Sequence, residues 1–185
     1  MRCFVALDLP APVRVHLANV TRPLHERFDV KWVGADQMHA TLVFAGELPD
    51  ELANDLAWVV RDVPLPPLSL HLDRLGHFPP RGVPRVVWAG LAGDVDALIK
   101  LQAALAAGAE ALGVPRDKRD FTPHVTLGRV RSHFGAFALV DELAKASAAL
   151  KCKPFAPTAL TLYQSELQPG GPVYRVLEQR APSAS

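Results

Sequence analysis

The tetrapeptide His39-Ala40-Thr41-Leu42 occurs a second time as His124-Val125-Thr126-Leu127. Each copy lies in a run of β-rich composition and is predicted to form a strand. Successive side chains of a strand point to opposite faces, so the histidine and threonine of each copy share one face. The intervening apolar residues face a core, which leaves each His/Thr pair on the face open to solvent.

The segments around the two copies alternate irregularly between helix and strand. We predict about eight strands and four helices, with helices over about 11–27 and 137–150 and a loop over 76–84. This pattern indicates an α+β fold with mostly antiparallel sheets. Each half of the chain offers a strand, a helix and a motif strand, which predicts two similar lobes with approximate two-fold symmetry, their sheets facing a central cleft and their helices outside. Residues 1–180 are predicted to form a single bilobal domain, and residues 181–185 a flexible tail.

Composition narrows the classes of function. The chain has 185 residues, 49% of them hydrophobic, and a formal net charge of +1, which argues against nonspecific binding to duplex nucleic acid. No apolar run approaches the length of roughly 18–20 residues that crosses a bilayer, so no membrane contact is expected. The two cysteines, Cys3 and Cys152, form no CxxC motif and are expected to be free thiols. We expect a cytoplasmic monomer.

Two histidines that face one cleft suggest acid–base chemistry. An imidazole titrates near pH ~6.5, so one ring can act as an acid while the other acts as a base. Threonine hydroxyls are neutral donors that can hold the non-bridging oxygens of a phosphate. The pattern therefore favours displacement at phosphorus.

Other kinds of site lack support in the sequence. Zinc sites usually recruit at least three protein ligands, and neither motif has an acidic residue or a cysteine at suitable spacing. No glycine-flanked serine or cysteine suggests a nucleophile. We expect neither metal nor cofactor.

The motif regions 39–46 (HATLVFAG) and 123–130 (PHVTLGRV) resemble the two signature motifs of the two-histidine phosphoesterase superfamily. Within it, the chain is similar to the bacterial and archaeal RNA 2′,3′-cyclic phosphodiesterases, historically called 2′-5′ RNA ligases. Weaker matches follow the family's order along nearly the whole chain, at 4–7, 32–33, 78–79, 85–88, 162–165 and 170–174.

The resemblance implies metal-independent hydrolysis of an RNA 2′,3′-cyclic phosphate to a 2′-phosphomonoester. In this resemblance, His39 corresponds to the proton donor to the departing 3′ oxygen and His124 to the base that activates water. Thr41 and Thr126 would bind the phosphate. The implied partner is single-stranded RNA with a 2′,3′-cyclic phosphate end, tRNA fragments included, and the reverse 2′-5′ ligation is also implied. Two alternatives remain open: a phosphodiesterase for a small cyclic phosphate or cyclic nucleotide, and a non-catalytic module that binds RNA ends.

The residues five positions after each histidine, Phe44 and Arg129, resemble a base-stacking aromatic and an arginine that contacts phosphate or base. An odd offset, however, places both on the face opposite the histidines if the strands are regular. They reach the cleft only past a bulge or a strand end, which Gly46 and Gly128 could provide.

Several other residues allow two interpretations. Phe78 and Tyr163 could line the cleft or serve as core aromatics. Trp32, Trp58 and Trp88 are predicted to be core residues. A set of basic side chains could flank the cleft, although scattered surface charge explains them equally well: Arg81, Arg85, Arg116, Lys118 and Arg119.

Overall fold

A computed structural model describes residues 1–182. Its eight strands are β1 (Arg2–Asp8), β2 (Val30–Trp32), β3 (His39–Glu47), β4 (Leu70–Phe78), β5 (Val86–Gly93), β6 (His124–Val130), β7 (Ala159–Gln168) and β8 (Gly171–Arg180). Its four α-helices are α1 (Ala11–Thr21), α2 (Asp50–Asp62), α3 (Val95–Ala111) and α4 (Ala136–Ala146). No helix in this part of the chain is both long and apolar enough to span a membrane.

The strands form two four-stranded antiparallel sheets. The first sheet has the order β3-β1-β7-β8 and the second has the order β2-β6-β5-β4. In the first sheet the motif strand β3 pairs with β1, which pairs with β7. In the second sheet the motif strand β6 pairs with β5, which pairs with β4. The fourth strand is added at opposite ends, beside β7 in the first sheet and beside β6 in the second. The predicted α+β fold with two similar, mostly antiparallel sheets is confirmed.

The two lobes are not the two halves of the chain. The order strand, helix, motif strand, helix, strand occurs as β1-α1-β3-α2-β4 and again as β5-α3-β6-α4-β7. In each copy the last strand joins the sheet of the other copy. Strand β2, between α1 and β3, also belongs to the second sheet, so the chain crosses between the sheets four times, and the buried residues of both sheets form one continuous hydrophobic core.

Helices α2, α3 and α4 pack against strands of the two sheets. Helices α2 and α3 contact each other; α2 packs against β7 and β8, and α3 packs against β3. Helix α4 packs against β4, and α1 contacts the 3₁₀ turn at 147–150 that follows α4. Each helix buries one stripe of small or branched aliphatic residues, such as Leu98, Leu101 and Leu105 of α3.

Three predictions from the sequence need correction. The first helix ends at Thr21 and continues only as a 3₁₀ turn over 22–24, because Pro23 has no backbone N–H to donate to the carbonyl four residues earlier. Strand β4 runs through Gly76 to Phe78, where a loop was predicted. Trp58 is not a core residue, since 58% of it is exposed and the Arg61 guanidinium lies 4.5 Å from its ring centroid.

The last described strand ends at Arg180. The tail predicted for 181–185 falls mostly outside the described residues, which end at 182.

Candidate active site

The two motif strands contact each other where the sheets meet. His39 is the first residue of β3 and His124 is the first residue of β6. The fold thus brings together two histidines that are far apart in sequence. The two imidazoles are near enough that a positive charge on His124 lowers the pKa of His39.

The same backbone hydrogen bond fixes each imidazole. His39 Nδ1 lies 2.7 Å from the Gln37 carbonyl oxygen, and His124 Nδ1 lies 2.6 Å from the Thr122 carbonyl oxygen. A carbonyl oxygen only accepts, so each Nδ1 must carry a hydrogen and donate it. The other ring nitrogen, Nε2, is therefore the atom that can give or take a proton.

Aromatic rings surround both imidazoles. Phe4 stacks on His39 with ring centroids 4.8 Å apart, and Tyr174 meets the same imidazole edge-on at 5.5 Å. Phe78 meets His124 edge-on at 5.1 Å, with Trp88 farther away at 6.4 Å. Trp88 is buried as predicted, and it belongs to this wall as well as to the core.

Burial among these rings lowers the pKa of both histidines below the ordinary value of 6.5. The hydrogen bonds to the Gln37 and Thr122 carbonyls oppose this effect. At His39 the Asp8 carboxylate also raises the pKa, whereas at His124 the Arg119 guanidinium lowers it further. Both rings are thus neutral at pH 7 in the free site, and a bound anion would favour protonation of one of them.

The two motif threonines occupy equivalent positions. Thr41 is opposite Ala6 of β1, and Thr126 is opposite Trp88 of β5. Both side chains are half-buried, two residues after their histidines on the same strand face. Each lobe therefore presents one imidazole and one hydroxyl on the same face.

A β-bulge follows each threonine and changes the alternation of the strand. In β3 the pairing passes from Ala6–Thr41 to Val5–Val43, so Leu42 has no residue opposite it. In β6 the pairing passes from Trp88–Thr126 to Val87–Gly128, so Leu127 is the extra residue. The fourth residue of both motifs is therefore a bulge, and side chains beyond it shift by one position in the alternation.

The carbonyl oxygens of the two bulge residues accept hydrogen bonds from donors outside the β1–β3 and β5–β6 strand pairs. The Leu42 carbonyl accepts from Gln102 Nε2 of α3 at 3.3 Å, and the Leu127 carbonyl accepts from the Val33 amide at 2.8 Å. Both leucines are buried, at 4% and 0% exposure. Packing and hydrogen bonding thus hold both bulges in place.

The bulges put Phe44 and Arg129 on the histidine side of their strands. Phe44 is opposite Phe4, whose ring stacks on His39. Arg129 is opposite Val86 and Lys31, and its charge acts on Tyr174 in the other sheet. The bulges that change the alternation before Phe44 and Arg129 occur at Leu42 and Leu127, and a second irregularity of β3 occurs at Ala45, beyond Phe44 and beside Gly46. Phe44 is 54% exposed, and the Arg2 guanidinium lies 5.0 Å from its ring centroid.

Four side chains near the site were not assigned to it from the sequence: Arg2, Phe4, Asp8 and Tyr174. Three of them share the cleft face of β1, which could have been read from their even spacing once β1 was known to pair with β3. The Asp8 carboxylate accepts hydrogen bonds from Thr161 Oγ1 at 2.7 Å, the Tyr163 hydroxyl at 2.8 Å and Gln179 Nε2 at 3.1 Å. Tyr163 and Phe78 both line the site.

Within residues 1–182, no group of three or more His, Cys, Asp or Glu side chains is placed to hold a metal ion.

Comparisons with known proteins agree with this geometry. Residues 10–168 match the family model of the 2'-5' RNA ligase superfamily. The RNA 2',3'-cyclic phosphodiesterase of Thermotoga maritima is 32% identical over 96% of this chain and 93% of its own length. The crystal structure of E. coli LigT complexed with 3'-AMP is 30% identical, with a TM-score of 0.77 over 99% of this chain and 98% of that one. The phosphate complex of E. coli LigT gives a TM-score of 0.71 at 29% identity, with the same coverage of both chains.

The family match covers most of the chain, and the relatives share its full length and its fold. The chain therefore belongs to the 2'-5' RNA ligase superfamily.

Proposed function

We propose that this protein hydrolyses the 2′,3′-cyclic phosphate at the end of an RNA to a 2′-phosphomonoester, with His39 as general acid and His124 as general base. The observation that carries the proposal is the pair of imidazoles on touching strands, each with its Nδ1–H donated to a backbone carbonyl. Relatives named for this reaction align over nearly the whole chain.

The reaction needs two proton transfers at one phosphorus. A water molecule attacks phosphorus and gives a proton to Nε2 of neutral His124. The bond from phosphorus to the 3′ oxygen breaks, and protonated His39 gives its Nε2 proton to that oxygen. The cyclic phosphate is a monoanion, so its binding raises the pKa of an imidazole that burial has lowered. Substrate binding thus favours the protonated form of His39, which takes its proton from solvent.

The remaining polar groups bind the substrate. Thr41 and Thr126 donate hydroxyl hydrogens to the two non-bridging phosphate oxygens, one from each lobe. Arg129 adds a positive charge on the same face as His124, and Phe44 offers an exposed ring on the side of His39. An unpaired base can stack on such a ring, which favours single-stranded RNA.

The experiment is hydrolysis of an oligonucleotide with a 2′,3′-cyclic phosphate in excess chelator, with identification of the product. General acid or base catalysis contributes about 10²–10⁴-fold, so His39→Ala and His124→Ala should each lose activity by that factor. His71→Ala, which removes an exposed histidine of β4, is the matched control and should retain full activity. Full activity in both motif variants, or loss of activity with chelator, would refute the mechanism.

The same assay separates the alternatives. A phosphodiesterase for small cyclic phosphates would prefer a cyclic mononucleotide to the oligonucleotide, whereas stacking on Phe44 and contact with Arg129 favour the longer substrate. A non-catalytic module would bind the cyclic end without turnover.

We further infer a cytoplasmic monomer that acts on RNA fragments such as tRNA halves and that can join them by the reverse reaction. The two described cysteines are free thiols, as in a reducing compartment. Light scattering after gel filtration measures the oligomeric state. Incubation of a 2′,3′-cyclic phosphate end with an RNA 5′-hydroxyl end, followed by linkage analysis, tests ligation.

A further inference from the structure

The two lobes repeat each other closely around their histidines. Each imidazole donates Nδ1–H to the carbonyl two residues earlier, and each motif has a bulge at its leucine. Aromatic side chains also pack against each imidazole ring. None of these shared features explains why one histidine would act as the acid and the other as the base.

The lobes differ at the position directly across the sheet from each histidine. His39 is opposite Asp8 at the end of β1, whereas His124 is opposite Gly90 of β5. Residues opposite each other in an antiparallel pair have Cβ atoms roughly 4.5–5.5 Å apart. The first lobe therefore places a carboxylate beside its histidine, where the second lobe has no side chain.

Neutral donors hold the Asp8 carboxylate in place. Its three partners are the Thr161 hydroxyl, the Tyr163 hydroxyl and the Gln179 amide, and none of them carries a positive charge. Thr161 is completely buried. Burial and the bond to Asp8 raise the pKa of Tyr163 well above its usual range, so the phenol stays neutral. The Asp8 carboxylate is thus oriented by uncharged donors, and the nearest positive charge that acts on this group is that of Arg14, which reaches Tyr163.

The other charged and titratable groups around the two rings add to the difference in charge between the surroundings of His39 and those of His124. His39 faces Asp8 of β1, Tyr163 of β7, Tyr174 of β8 and His124 of β6. The Arg2 and Arg129 charges reach Tyr174. The charge of Arg119, whose guanidinium is paired with Asp117 at 2.6 Å, acts on His124 and disfavours the imidazolium, and the ring packs against Phe78 and Trp88.

We propose that Asp8 is a positioning residue that assigns the acid role to His39, because its oriented carboxylate stabilises the imidazolium across the strand pair while Gly90 offers none to His124. This inference rests on the proposed function, in which His39 gives its proton to the departing 3′ oxygen. The bound phosphate anion stabilises a positive charge in the site, and the proton then binds His39, the ring beside Asp8. His124 stays neutral and accepts the proton of water.

The test is the isosteric variant Asp8→Asn, compared with Asp8→Glu and with Asp55→Asn. Removing an opposite charge beside an imidazolium lowers its pKa by about one unit, so the descending limb of the kcat profile should move to lower pH by about one unit in Asp8→Asn. Asp8→Glu keeps the negative charge, so its descending limb should lie close to that of the wild type. Asp55→Asn removes a negative charge from the exposed face of α2 and should leave the profile unchanged. An unchanged descending limb in a folded Asp8→Asn protein would overturn the proposal.

A measurement on the wild-type protein tests the same point without a variant. NMR titration of both imidazoles with inorganic phosphate bound should give a higher pKa for His39 than for His124. The reverse order would overturn the proposal, whether or not Asp8→Asn folds.

A substrate with sulfur in place of the bridging 3′ oxygen separates this inference from the proposed function. A thiolate leaves without a proton, so this cyclic substrate should restore activity to His39→Ala and to Asp8→Asn. If His39→Ala is not restored, the acid role of His39 fails, and with it the proposed mechanism. If His39→Ala is restored while Asp8→Asn behaves like wild type on both substrates and at all pH values, only the role of Asp8 fails.

Discussion

Gly76 gives the clearest link between packing and the site. It lies in β4 opposite Trp88, and a Cβ atom built on Gly76 would lie 2.3 Å from Trp88 Cη2 and 2.4 Å from Cζ2. Carbon atoms in ordinary contact are about 3.5–4.0 Å apart, so Gly76→Ala requires a movement of roughly 1–2 Å. The Trp88 ring is rigid and buried, so the movement must pass to its neighbours or to the backbone.

The expected cost follows from overpacking. Adding a methyl group to a filled core destabilises a protein by about 1–3 kcal/mol, which corresponds to a decrease in Tm of roughly 2–12 °C for a chain of this size. Trp88 also contacts Phe78, with ring centroids 5.2 Å apart, and Phe78 packs on His124. A displacement of about 1 Å at a catalytic group can cost up to 10²-fold in rate, so we expect kcat to fall as well.

The assay combines thermal unfolding with initial rates on the cyclic phosphate oligonucleotide. Gly170→Ala is the matched control, since no atom lies within 4 Å of a Cβ at that position, and it should change neither quantity. A Gly76→Ala protein with the stability and kcat of the wild type would show that Trp88 does not need this space. The link from β4 to His124 would then be wrong.

Three further predictions concern the bulge, the stacking surface and the pH dependence. Gln102→Leu removes the hydrogen bond to the Leu42 carbonyl and should destabilise the protein by about 1 kcal/mol, measured by urea unfolding; no change would mean that the bulge does not need this donor. Phe44→Ala should raise KM for an oligonucleotide by roughly 5–150-fold with little change for a cyclic mononucleotide, since stacking contributes about 1–3 kcal/mol per base; equal effects on both substrates would contradict a stacking role. Burial lowers the pKa of His124, which must be neutral to act as base, so the acidic limb of kcat/KM should lie below pH 6.5. A bound phosphate raises the pKa of His39, so the descending limb should lie at higher pH for kcat than for kcat/KM, and coincident limbs in a pH–rate series would argue against substrate-assisted protonation.

The sequence alone determined the motif strands and the chemistry of their exposed faces. Strand alternation is a local property, so it places His39 beside Thr41 and His124 beside Thr126 without knowledge of the fold. The apolar residues between them indicate which face is buried. The repeat also predicted two similar lobes, because two strands with the same pattern have the same need for a core.

The tertiary structure decided which strands are neighbours. Sequence does not reveal that β4 and β7 exchange between the sheets, because either sheet offers a suitable apolar face. The bulges at Leu42 and Leu127 are defined only by the partner strands β1 and β5, so regular alternation placed Phe44 and Arg129 on the wrong face. The loop predicted around Gly76 is a strand, because the glycine accommodates the ring of Trp88 from β5.

The difference between the two histidines is also tertiary. Their tetrapeptides differ only at the buried residues Ala40 and Val125, so the motifs themselves cannot distinguish an acid from a base. Asp8 and Gly90 become relevant only when β1 pairs with β3 and β5 pairs with β6. Sequence specifies side-chain chemistry and local alternation, whereas the pairing of distant strands determines which charge stands beside each imidazole.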